Sequence, residues 1–242
     1  MFNLNAVSKV FCILGIAGTV PMALAQSMTV PVSLEPSNWQ EVRLGDQIKP
    51  NEFEFLQIDD QAALRVESNA SMSMMASTIE VDLSQTPVLC WRWRVSRVLQ
   101  TADMTTKAGD DYAARLYLNL SVDPLSQTFG ERLQLRLARA IWGDQLPDAA
   151  INYVWDNRQP VGSVMANAYT DRVKMVVMDS GPQGVGQWQA HGRDVARDIE
   201  TLFNGTAHPV QIALAADTDN TGEAVLTEFA DLRFVPDLDD CG

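Results

Sequence analysis

The sequence predicts a mostly β protein: a jelly-roll-like β-sandwich with two short helical insertions. Three observations lead there. Ten short runs rich in β-branched, aromatic and alternating apolar residues are separated by turn residues, which suits a sandwich better than βαβ units. Only two segments carry helical periodicity. No repeat, low-complexity tract or linker divides residues 26–242, so one domain is expected there.

Residues 1–25 read as an export signal. Lys9 supplies the positive flank, residues 10–20 are apolar or small, and Ala23-Leu24-Ala25 offers a small-x-small cleavage site. The apolar run is too short to span a bilayer as a helix, so no transmembrane anchor is expected. Cleavage near Ala25 would place residues 26–242 in the periplasm or outside the cell.

Strands are expected at 39–44, 52–58, 63–67, 71–83, 88–99, 112–122, 151–155, 172–178, 210–216 and 228–235. Each is a short β-rich run bounded by turn formers. The clearer helix covers 194–203, where Val195, Ile199, Leu202 and Phe203 share a face and Asn204-Gly205 supplies the stop. The second helix is expected at 129–142. Phe129, Leu133, Leu137, Ala140 and Ile141 form a stripe there, although Leu133, Leu135 and Leu137 also alternate as in a strand.

Two strands alternate strictly. Leu89, Trp91, Trp93 and Val95 point one way, and Cys90, Arg92 and Arg94 the other. Ala114, Leu116, Leu118 and Leu120 oppose Arg115, Tyr117 and Asn119 in the same manner. If these strands pair, Arg92, Arg94, Arg115, Tyr117 and Asn119 share a surface bordered by Asp110 and Asp111. Aromatic rings suit sugar faces, and Arg or Asn suits hydroxyls and carboxylates. An acidic sugar would fit the Arg row. The other reading is a solvated sheet face with Arg balancing nearby acids.

Two acidic blocks stand out, at 107–111 and 217–222. In the second, Asp217, Asp219 and Thr221 fall at positions 1, 3 and 5 of a calcium loop, Gly222 at 6 and Glu228 at 12. Strand-like flanks argue against an EF-hand but leave a calcium site on a sandwich loop open. Two further readings stay open. One is a capped β-turn; the other is a buried network joining Asp110, Asp111 or Asp217 to Arg115.

The charge is −13 overall. Removing residues 1–25 takes away Lys9 and no acid, giving −14. That balance argues against nucleic acid and against a general attraction to anionic lipid. Cys90 and Cys241 remain after cleavage; an oxidising compartment permits their bond, and two free thiols are the alternative. Met72, Met74 and Met75 read as packing residues more than as copper ligands. There is no GxSxG elbow for a serine nucleophile.

Taken together, the stretches LCWRWRV (89–95), KAGDDYAARLYL (107–118), NYVW (152–155), RDVARDIETLF (193–203) and DTDNTG (217–222) resemble a bacterial family catalogued as domain of unknown function 3047. The resemblance implies an exported, mostly β protein and no particular activity or catalytic residue. The leading reading is a non-catalytic ligand-binding domain, with carbohydrate as the first ligand class and no required cofactor beyond an optional calcium. A polysaccharide hydrolase or lyase using carboxylates is the enzyme alternative. A structural envelope domain that binds another protein is the third.

Overall fold

The computed structural model describes residues 28–130, 132–133, 135–136 and 147–242. The export signal expected at 1–25 lies outside these residues.

The strands are β1 (Val30–Pro31), β2 (Gln40–Val42), β3 (Glu52–Ile58), β4 (Gln61–Asn69), β5 (Met74–Thr78), β6 (Val88–Val95) and β7 (Tyr112–Val122). After them come β8 (Ala149–Asp156), β9 (Val164–Asn167), β10 (Thr170–Ser180), β11 (Gln189–Asp194), β12 (Ala207–Asp217) and β13 (Ala224–Val235). Sheet one runs β11-β6-β13-β4-β3, with β1 also paired to β13. Sheet two runs β2-β5-β12-β7-β8-β10-β9. From β4 to β7, and again from β10 to β13, successive strands change sheet. This crossing back and forth makes the sandwich jelly-roll-like. Every named pairing is antiparallel except β8 with β10.

The core lies between the sheets. Leu89, Trp91, Trp93 and Val95 of β6 face Ala114, Leu116, Leu118 and Leu120 of β7, each at most 1 % exposed. The alternation in the sequence therefore reports true faces. Trp91 stacks on Tyr153 at 5.2 Å, and Trp93 lies 6.4 Å from Trp155, so aromatic rings bridge the two sheets. Truncating one such ring to Ala costs about 3–5 kcal/mol in a packed core. At the open side, Trp93 Nε1 donates to Asp179 Oδ2 at 2.6 Å, and His191 Nε2 meets the same oxygen at 2.7 Å. These contacts give buried polar atoms partners where a strand from each sheet approaches.

A helix forms at Val195–Phe203. Asp194 caps it by accepting from the Arg197 N–H at 2.9 Å, and Asn204 ends it at φ 53°. Val195 and Ile199 are buried beneath it. For the helix expected at 129–142, residues 129–130, 132–133 and 135–136 are helical. Residues 131, 134 and 137–142 lie outside the described residues.

The sulfurs of Cys90 and Cys241 are bonded, with Cα atoms 5.5 Å apart. The bond lies against β11. A Cβ on Gly192 would come within 2.7 Å of the Cys241 sulfur, so only glycine passes beneath it.

Candidate functional site

The outer face of sheet two is concave. A groove of about 1810 Å³ crosses it from the β2–β5 side to the β9–β10 side. Residues of one parity line its floor: Met74 and Ala76 of β5, Gln211 and Asp217 of β12, Arg115, Tyr117 and Asn119 of β7, and Ala150 and Asn152 of β8. The rims come from Arg43, Leu44, Gln47 and Ile48 on one side and Asn167–Val173 on the other. These rims bury the floor, leaving Arg115, Tyr117 and Asn119 only 5, 8 and 7 % exposed. An outward-pointing polar row thus sits in a trough instead of on an open face.

Two apolar clusters flank a polar stripe. Met72, Met74, Ala76, Tyr117, Ala213 and Ala215 pack together with Val42 and Ile48. Met104, Tyr112, Val154, Met175 and Val177 form the other cluster. Between them, Asn119 Nδ2 donates to Gln211 Oε1 at 2.7 Å, and Arg115 pairs with Asp217. The Arg115 guanidinium lies over Tyr112 at 4.6 Å and over Tyr117 at 4.7 Å. Burial disfavours that cation, but Tyr117, Asp217 and Asp110 beside it keep it protonated above the ordinary arginine range. Burial likewise pushes the hydroxyls of Tyr112 and Tyr117 up, against the pull of Arg115.

At one end of the groove the two acidic blocks meet. Asp110 accepts from the Tyr112 hydroxyl at 2.9 Å and from Asn167 Nδ2 at 2.8 Å. Asp111 accepts from the backbone N–H groups of Asn220 and Thr221 at 3.3 and 2.6 Å. Asp111, Asp217 and Asp219 each offer a carboxylate oxygen within 4.8 Å of the others. Burial, with Asp111 and Asp219 nearby, holds the Asp217 carboxyl well above the usual range despite Arg115. In donor chemistry these three oxygens suit a hard cation such as calcium. One Asp217 oxygen is already taken by Arg115.

Several sequence expectations need correction. Arg92 and Arg94 do not share a surface with Arg115, Tyr117 and Asn119. β6 belongs to sheet one and β7 to sheet two, so their outward residues lie on opposite faces of the sandwich. The two alternating patterns are equally regular, and nothing local says that β6 pairs with β11 and β13 instead of β7. Arg92 and Arg94 instead lie 5.2 and 4.9 Å from the Trp188 ring. Glu228 is not at the calcium-type loop. It is 1 % exposed on sheet one, where Arg65 donates to it at 2.9 Å and Arg94 Nε at 2.6 Å. The strand-forming run after Gly222 carries it away from the turn. Thr221 donates its N–H to Asp111 at 2.6 Å and accepts from the Glu223 N–H at Oγ1, 3.4 Å away, beside the carboxylate cluster.

The sequence reading overlooked Asn152, Gln211, Asn167 and Tyr169, all lining the groove. Asn152 carried a signal: it is a polar residue at an outward position of an otherwise apolar strand. Asn167 ends β9 and Tyr169 lies in the turn before β10; the strand expected at 172–178 begins after both.

No curated protein matches the chain. Among solved structures, it is similar to the xyloglucanase domain of NopAA, a type three effector from Sinorhizobium fredii in complex with cellobiose. That likeness has 9 % identity and a TM-score of 0.42, covering 80 % of this chain and 91 % of that one. The family described as protein of unknown function (DUF3047) matches residues 37–233. With most of the sequence inside that match, the chain belongs to the DUF3047 family.

Proposed function

We propose that the chain is an exported saccharide-binding domain, residues 1–25 being its signal and the groove on sheet two its binding site. One observation carries this reading. Three buried polar atoms along the groove lack hydrogen-bond partners: Arg115 Nε, Asn152 Oδ1 and Asp217 Oδ1. Buried groups are rarely left so, and leaving one unpaired costs about 1–3 kcal/mol. They sit on adjacent strands β12, β7 and β8, and they comprise one donor and two acceptors. Sugar hydroxyls both donate and accept, so a polyhydroxylated ligand suits the mixed donors and acceptors that Asn119, Asn152 and Gln211 bring to the same floor. The volume exceeds the roughly 300–1,000 Å³ of pockets for compact ligands, which suits a chain of several rings. Tyr169 on the rim, 57 % exposed, supplies an aromatic surface.

The test is titration of the 26–242 protein with soluble oligosaccharides, beside an N119A/Q211A variant and an R92A/R94A variant. The groove variant is expected to bind at least about tenfold more weakly, a loss of about 1.4 kcal/mol. The sheet-one variant should bind like the wild type. Loss in the sheet-one variant alone would refute this placement. Release of shortened products during incubation would turn the reading toward a hydrolase or lyase.

A further inference from the structure

We infer that the groove selects uncharged glycans and rejects polyuronates; the inference rests on the saccharide reading and narrows it. Among the described residues lining the groove there are five carboxylates against three guanidinium groups and no lysine. A uronate chain entering it meets a net negative field inside low-dielectric walls, which strengthen the repulsion.

The three arginines offer little compensation. Arg115 is the one on the floor. It pairs with Asp217, and its guanidinium lies 4.6 and 4.7 Å from the ring centroids of Tyr112 and Tyr117. Its Nη1 is held by Asp217 and its Nε is buried, so a carboxylate in the groove does not meet the parallel N–H pair of the Nε/Nη2 edge. Arg43, on one rim, bonds Glu41 at 3.0 Å. Arg172, on the other, donates to the Asp148 carbonyl at 2.8 Å. A uronate would have to displace such contacts beside Asp217 and Asp219. A hydroxyl needs one donor and one acceptor, and the floor amides of Asn119 and Gln211 carry both kinds of group. The acidic-sugar expectation drew on Arg92 and Arg94, which lie on the opposite sheet.

The experiment titrates the 26–242 protein with a panel of neutral oligosaccharides and with length-matched oligogalacturonates and oligomannuronates, at about 0.05 and 0.5 M salt. A neutral ligand is expected to bind with an affinity that changes less than about twofold between the two salts. The uronates should bind at least about tenfold more weakly than that ligand at low salt, with the gap closing at high salt. A D171N/D219N variant, which removes two groove charges, should raise uronate affinity relative to that of the neutral ligand. Uronates binding as tightly as the neutral ligand would overturn the selectivity while leaving the saccharide site standing. Binding of neither class would overturn the saccharide reading and the selectivity with it.

Discussion

Arg115 and Asp217 form a buried pair, yet removing one partner should cost far more than removing the other. In R115M, Asp217 stays buried with Asp111 and Asp219 oxygens within 4.8 Å and no cation against it. Two unit charges at that separation repel by about 3 kcal/mol at an effective dielectric of about 20. Breaking a buried pair this way typically costs about 3–5 kcal/mol. In D217N, Arg115 keeps both tyrosine rings, worth about 0.5–2 kcal/mol each, and an amide oxygen to donate to. One of three crowded negative charges also disappears, so the cost should stay near 1–2 kcal/mol. For a domain of this size each kcal/mol moves the melting temperature by about 2–4 °C. R115M should therefore melt about 6–20 °C lower, and D217N about 2–8 °C lower. The pH dependence provides a second check. Asp217 already sits well above the usual carboxylate range, and losing Arg115 raises it further. A raised carboxyl binds its proton in the folded state before the unfolded one, so stability rises as pH falls through that window. The R115M deficit should be full at pH values above the folded pKa and shrink toward the unfolded value of about 3.9. Thermal melts from about pH 4 to 8 would read it. Equal losses in the two variants, or a deficit that ignores pH, would refute the reasoning.

Two further outcomes are expected. Replacing Cys241 with Ser opens a link between residues 151 apart in sequence, for which chain entropy gives about 5 kcal/mol; a melting shift under about 2 °C would show that the Leu238–Cys241 turn and Arg233 hold the tail without the bond. Glu223 accepts from the N–H groups of Gln100 and Thr101 at 3.0 and 2.9 Å, and these bonds hold its carboxyl below the ordinary value although burial pulls the other way. Its contribution is present above the unfolded pKa and lost as pH falls through the folded one. E223Q should lose about 1–2 kcal/mol at neutral pH and converge with the wild type in acid, and a denaturant series showing a constant gap would contradict this.

Much of the fold was legible because burial leaves a period-two mark. The ten expected strands all fall on observed ones, since their inward residues are mostly apolar, as in β6 and β7. The strands β9 and β11 escaped notice for the opposite reason. β11 is Gln-Ala-His-Gly-Arg-Asp, and its inward His191 gains a place through Asp179 and two tryptophans that no local pattern reveals. The site was half legible. Arg115, Tyr117, Asn119, Asp110 and Asp111 were found because a polar residue at an outward strand position is visible in sequence. Arg92 and Arg94 were assigned to the same face because alternation gives a strand's two sides but not its neighbours. The meeting of Asp111 with Asp217 and Asp219 depends on β7 pairing with β12, a contact across about a hundred residues of chain.

The strand order has a consequence for how this chain comes to be folded. β12 lies between β5 and β7, and β13 lies between β4 and β6. Before those two strands arrive, each sheet exists as two separated pieces with open edges. Synthesis delivers them last, so β7 on the groove floor and the tryptophan-bearing β6 each keep one edge open while most of the molecule is already made. Closure by distant partners makes folding slow, and bare edges during that wait invite pairing with other chains. A nascent chain halted before residue 207 should therefore be an aggregation-prone species and a natural client for holding chaperones.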